Sequence, residues 1–135
     1  MEWWGRRIFG GKATGRALVT DEAVSFFGGV NPDTGMIEEE GHPLQGWNVS
    51  GKVLVFPRGK GSTVGSYTLY RMKKTGTAPI AILNRECETI VAVGAIIAEI
   101  PCLDQIDIEK IPDGVVLLVD ADEGKVETVE GADGG

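Results

Sequence analysis

Lys52-Val53-Leu54-Val55-Phe56 runs into Pro57-Arg58-Gly59-Lys60-Gly61-Ser62-Thr63-Val64-Gly65-Ser66, and Ala78-Pro79-Ile80-Ala81-Ile82-Leu83-Asn84 follows. Val53 to Phe56 and Ile80 to Leu83 are apolar and rich in β-branched residues, as buried strands are. Tyr67 to Lys74 between them reads as a helix. Leu69, Tyr70 and Met72 give it an apolar side, Lys73-Lys74 complement the dipole of its last turn, and Gly76 supplies a stop. Ser62, Thr63 and Ser66 all qualify as its N-cap. Strand, loop, helix and strand make a βαβ unit, for which parallel pairing with a right-handed crossover is the default.

Upstream, Ile8-Phe9, Ala17 to Thr20 and Ala23 to Phe27 are short apolar or β-branched runs, separated by Gly10-Gly11 and Thr20-Asp21-Glu22. That is the pattern of strands joined by turns. Asn31-Pro32-Asp33-Thr34-Gly35 is a turn, and His42 to Gly51 is an ordered loop interrupted by Pro43 and Gly46. Downstream, Ile90 to Ile100 is apolar with Gly94 inside, and its Val and Ile content favours a strand, with a short helical turn over Cys87–Ile90. Ile106 to Ile111 is a charged connector. Val115 to Asp120 is a strand, Ala121 to Gly124 a turn, and Lys125 to Val129 its hairpin partner. The expectation is a β-rich α/β fold, one domain over residues 1–135, with 131–135 a disordered tail.

Composition limits what such a domain does. The 135 residues are 42% hydrophobic and 24% charged, which are globular values. Lysine and arginine total 13 against 20 acidic residues, a net charge of −7, and the sequence pI is about 4.7. Such a chain is a poor partner for nucleic acid or an anionic membrane. No run approaches the ~20 apolar residues of a spanning helix, and Met1-Glu2-Trp3-Trp4 does not begin a signal peptide; the expected location is the cytoplasm. Twenty glycines point to many tight turns.

Chemistry concentrates in Gly59 to Ser66. A buried strand, three glycines, several hydroxyls and a helix start aim backbone N–H groups and a helix dipole at one spot. That suits a carboxylate, a phosphate or an oxyanion formed during reaction. The plain alternative is a glycine turn capped by Ser62 or Thr63. The spacing matches neither a Walker A loop nor GxGxxG. His42, the single histidine, is unsupported by other metal ligands and reads as structural. Cys87 and Cys102 are too few for an iron–sulfur cluster and read as small apolar residues. Glu38-Glu39-Glu40 reads as a solvated face, and Asp120, Asp122 and Glu123 as turn chemistry.

Asp33-Thr34-Gly35, His42-Pro43-Leu44-Gln45-Gly46, Gly51-Lys52-Val53-Leu54-Val55, Gly59-Lys60-Gly61-Ser62, Ala78-Pro79 and Asn84 occur in this order. Together they resemble the small subunits of the aconitase X family, whose form in archaeal mevalonate metabolism is phosphomevalonate dehydratase. The resemblance runs from about Gly11 to Val129. It implies a swivelling β/β/α domain like the mobile domain of aconitase. It implies a heterodimer with a large subunit that binds a [4Fe–4S] cluster, this chain holding no metal and being inactive alone. The implied reaction dehydrates (R)-5-phosphomevalonate to trans-anhydromevalonate 5-phosphate. The family's catalytic base falls on Ser62, with Lys60, Gly61 and Thr63 as candidate substrate contacts. Trp3, Trp4, Trp47 and Met36 are candidates for apolar surface facing the partner. Rival expectations are a hydroxyproline-type dehydratase subunit, a mobile phosphohistidine carrier using His42, and a non-catalytic anion-binding module.

Overall fold

The structure is a computed structural model that describes residues 1–129; the tail expected at 131–135 lies outside the described residues. In chain order the elements are β1 (Glu2–Trp4), β2 (Arg6–Phe9), β3 (Lys12–Val19), β4 (Val53–Phe56), α1 (Gly65–Thr75), β5 (Ala81–Asn84), α2 (Thr89–Ala98), β6 (Cys102–Asp104), a 3-10 turn (Ile108–Lys110), β7 (Val116–Asp120) and β8 (Lys125–Thr128). The strands form one mixed sheet in the order β1-β8-β7-β3-β4-β5-β6-β2. β3, β4, β5 and β6 are parallel neighbours, flanked by antiparallel β2 on one side and β7, β8 and β1 on the other.

The alternation of side chains along β4 and β5 divides the core in two. Leu54, Phe56 and Ile82 pack with Leu69 and Met72 of α1 and with Val91 and Ala95 of α2. Val53, Val55, Ala81 and Leu83 face the other way, onto Leu117, Val119, Val126, Ile106 and Ile108. β7 and β8 share this second core with β4 and β5, so the antiparallel half of the sheet curls over the face that the helices leave open. Both cores are buried, as expected for parallel strands covered on each side.

Residues 89–98 are helix, not the strand that their Val and Ile content suggested. Two physical facts override that propensity. β5 and β6 are parallel, so the chain between them must cross over, and a helix does this while satisfying its own backbone. Glu88 starts it, its carboxylate accepting N–H bonds from Ile90 at 2.7 Å and Val91 at 2.9 Å. Gly94 then lets α2 close on α1, because a Cβ there would lie 2.6 Å from Leu69 Cδ1.

The segment between β3 and β4 is an irregular excursion, not the strand expected over Ala23–Phe27. Its backbone is pinned by isolated bridges, Val24 to Gly59, Val30 to Ile37 and Met36 to Asn48. Phe26, Val30, Ile37, Leu44 and Val49 anchor it in the helix-side core. The turn at Asn31–Gly35 forms as read, with Asn31 Oδ1 accepting from Asp33 N–H at 2.9 Å. The 115–129 hairpin also forms, but its outer strand β8 carries β1, whose Trp3 is 8% exposed and belongs to the core. Trp3 is therefore not available to a partner, whereas Trp4 and Trp47 are exposed.

Candidate functional site

β3, β4, β5 and β6 run in the same direction, so their carboxyl ends share one edge of the sheet. In open α/β sheets this edge is where ligands collect. Three segments meet there: residues 20–29 after β3, the β4–α1 loop, and the β5–α2 loop. The β4–α1 loop is held on both sides. Val24 N–H donates to Arg58 O at 3.2 Å and Lys60 N–H to Val24 O at 3.1 Å. Gly59 is buried against the N-terminus of α2, where a Cβ would lie 2.5 Å from Glu88 Oε1. Gly61 has φ +88°, a conformation that favours glycine, and a Cβ there would lie 2.5 Å from Ser25 Oγ.

Beyond this fixed stretch the chain turns outward, and Lys60, Gly61, Ser62 and Thr63 are all exposed. Ser62 is in no sense entombed. Its Oγ accepts Val64 N–H at 3.2 Å, and its carbonyl accepts Gly65 N–H at 2.9 Å. The N–H groups of Gly61, Ser62 and Thr63 donate to nothing among the described residues. α1 begins with Val64 at its cap position and no side chain closing it. None of the three expected caps fills that role, since Ser66 lies inside the helix and its Oγ instead donates to Ile90 O of α2 at 2.7 Å. Ser62 thus stands beside an uncapped helix start, with one amide already on its oxygen and free amides next to it. A hydroxyl so placed has one donor, Val64 N–H, on its oxygen and stands near the positive end of a helix dipole.

Two shallow clefts flank this serine. One, of about 290 Å³, is lined by Ser25, Gly28, Gly29, Glu39, Lys60 and Gly61. The other, of about 240 Å³, lies between the helix starts and includes Thr63, Val64, Tyr67, Ile90 and Val93. Lys60 Nζ lies 2.7 Å from Glu39 Oε2, so its charge is balanced within the chain. Arg58 is not among the residues that the sequence motifs mark. It is exposed, and no hydrogen bond or ion pair engages its side chain among the described residues. Its alternation with Lys60 around buried Gly59 was the signal available in the sequence.

The remaining candidates have structural roles. His42 is buried, its Nε2 against Ala23 O at 3.1 Å and its Nδ1 accepting Leu44 N–H at 3.0 Å. The donor and acceptor roles fix the neutral Nε2–H tautomer, and both ring nitrogens are occupied. A phosphohistidine carrier needs an accessible imidazole. Cys102 is buried, and its thiol is held well above the ordinary value by a hydrogen bond with Cys87 and by burial. Two thiols fall short of the three or four ligands that a cluster takes, and no three metal-binding side chains converge among the described residues. The described residues therefore do not fit the part of cluster holder. Asp122 Oδ1 accepts Gly11 N–H at 3.0 Å and Asp120 Oδ1 accepts Glu123 N–H at 3.2 Å, which is the turn chemistry expected. Among the described residues no helix is long and apolar enough to cross a membrane.

The family profile of the aconitase X swivel domain matches residues 2–128. The chain belongs to that family. A phosphomevalonate dehydratase small subunit from Thermococcus sibiricus is 57% identical over 130 residues, covering 96% of this chain and 100% of the relative. Another from Methanocella arvoryzae is 53% identical, covering 94% and 98%. The crystal structure of aconitase X from Thermococcus kodakaraensis, in its holo-form, superposes with a TM-score of 0.94 at 50% identity, covering 96% of this chain and 99% of that one. The swivel-domain architecture expected from the ordered motifs is therefore the architecture observed, an eight-stranded mixed sheet with two helices.

Proposed function

We propose that this chain is the small subunit of a phosphomevalonate dehydratase, working as a heterodimer and contributing the proton acceptor. The observation that carries the reading is the exposed Ser62 hydroxyl at an uncapped helix start, with Val64 N–H on its oxygen. The homologues' names support the reaction class.

In this reading the substrate is (R)-5-phosphomevalonate, and the carbon between its carboxylate and its tertiary carbinol loses a proton to Ser62. The serine acts as alkoxide, its charge held by Val64 N–H and the adjoining amides, and it leaves the step as the hydroxyl. The carbinol hydroxyl departs as hydroxide and takes the proton from Ser62, which restores the alkoxide and makes one water; the product is trans-anhydromevalonate 5-phosphate. Gly61 and Thr63 contact substrate through their N–H groups, and Lys60 does so by exchanging Glu39 for a substrate anion. The [4Fe–4S] cluster expected from the resemblance belongs to the large subunit.

The partner also accounts for a surface that this chain cannot bury. α2 has no charged residue, yet Val93, Ile96 and Ile97 are exposed, as are Val64 at the cap of α1 and Tyr67 within it. A helix that is apolar all round is normally covered. The test is reconstitution. Neither chain alone dehydrates phosphomevalonate, and the mixture does. Ser62→Ala lowers kcat by at least about 10²-fold while complex formation is unchanged. Retention of most activity by that variant assigns the base elsewhere.

A further inference from the structure

We propose that Arg58 binds the phosphate of the substrate and so sets the preference for a phosphorylated acid; this rests on the dehydratase reading above. Of the 13 cationic side chains, only Arg7 and Arg58 have neither an ion pair, a hydrogen bond nor a ring contact among the described residues. Arg7 runs along β2 toward Gly10, since its Cδ is 3.6 Å from where a Gly10 Cβ would sit, and so it points away from the carboxyl edge of the parallel strands. Arg58 is therefore the unengaged cation at the edge that carries Ser62.

Its backbone is fixed, because its carbonyl accepts Val24 N–H. Gly59 turns inward to Glu88, and Arg58 and Lys60 on either side of it are exposed. Lys60 is already paired with Glu39 and reaches a substrate anion only by giving up that pair, whereas Arg58 gives up no ion pair. The substrate carries two anions at opposite ends. The carboxylate adjoins the carbon that gives up its proton, so it sits close to Ser62 and within reach of the loop amides. The phosphate lies at the far end of the carbon chain and needs a longer arm. A guanidinium supplies that arm, and its planar fork pairs with two phosphate oxygens at once.

The experiment compares wild type, Arg58→Gln and Arg58→Lys, each assembled with the large subunit, using phosphomevalonate as substrate and both inorganic phosphate and mevalonate as competitive inhibitors. For Arg58→Gln, kcat/KM falls about 10–100-fold. The inhibition constant of phosphate rises, that of mevalonate stays constant, and Arg58→Lys recovers part of the loss. An equal weakening of phosphate and mevalonate overturns the assignment, because the cation then serves the shared carboxylate end or the overall field. Loss of complex formation also overturns it, by making Arg58 a docking residue. If the wild-type complex fails to dehydrate phosphomevalonate, the dehydratase reading fails first; an active wild type with an indifferent Arg58→Gln sinks this proposal alone.

Discussion

Glu88 Oε1 occupies the space where Gly59 would carry a side chain, 2.5 Å from an ideal Cβ. The same carboxylate closes the N-terminus of α2 through Ile90 and Val91. The loop bearing Ser62 is thus seated on the cap of the neighbouring helix. Gly59→Ala forces that cap aside and destabilises the protein by about 1–3 kcal/mol. Urea denaturation of the isolated chain measures it, and an unchanged midpoint contradicts the close fit.

Removal of the cap itself gives a second outcome. Glu88→Ala leaves two amides at the start of α2 without their acceptor and costs about 1–2 kcal/mol. Glu88→Gln retains an acceptor oxygen and loses less. The ranking, not either value alone, separates capping from packing.

The Glu39–Lys60 pair has the opposite character. Its side chains are 27% and 46% exposed, so solvent screens most of the attraction. Glu39→Gln changes stability by less than about 1 kcal/mol, and thermal melts at low and high salt converge. A larger loss means that the pair clamps the excursion over residues 20–52 more firmly than its exposure allows.

Cys102 and Cys87 divide by accessibility. In the native protein iodoacetamide modifies Cys87, while Cys102 reacts only on unfolding. Cys102 holds its proton more tightly folded than unfolded, because of Cys87 and burial. The unfolded chain loses that proton first as pH rises, so the contribution is complete below the ordinary thiol value of 9.0 and declines above it. Denaturation midpoints measured from pH 7 to 10.5 fall in wild type, and fall less in Cys102→Ala.

The exposed face of α2 offers a direct check on assembly. Ile96 is 49% exposed, so Ile96→Glu leaves the fold stable to within about 0.5 kcal/mol. In the proposed heterodimer it abolishes co-purification with the large subunit. Unimpaired assembly places the interface elsewhere.

The parallel unit around β4, α1 and β5 was legible because its signals are local: two apolar runs, a basic last turn and Gly76 as a stop. The 115–129 hairpin was legible for the same reason. α2 was not, because Val and Ile favour a strand in isolation, and only the parallel β5–β6 pairing and the contact of Gly94 with Leu69 make it a helix. β1 escaped notice since it gains its partner β8 from the far end of the chain. In the site, the glycines and hydroxyls of residues 59–66 marked the loop as worth attention, readable either as an anion-binding loop or as a plain glycine turn. That Lys60 is balanced while Arg58 is not depends on Glu39, 21 residues away in sequence, and no local pattern carries that information.

Ten consecutive uncharged positions at Thr89–Ala98 also make a demand on the cell. In the proposed heterodimer the large subunit covers this stripe, so copies made in surplus expose it to water. Balanced synthesis of the two polypeptides then follows as a requirement of that assembly, and an imbalance in gene dosage registers first as turnover of the excess chain.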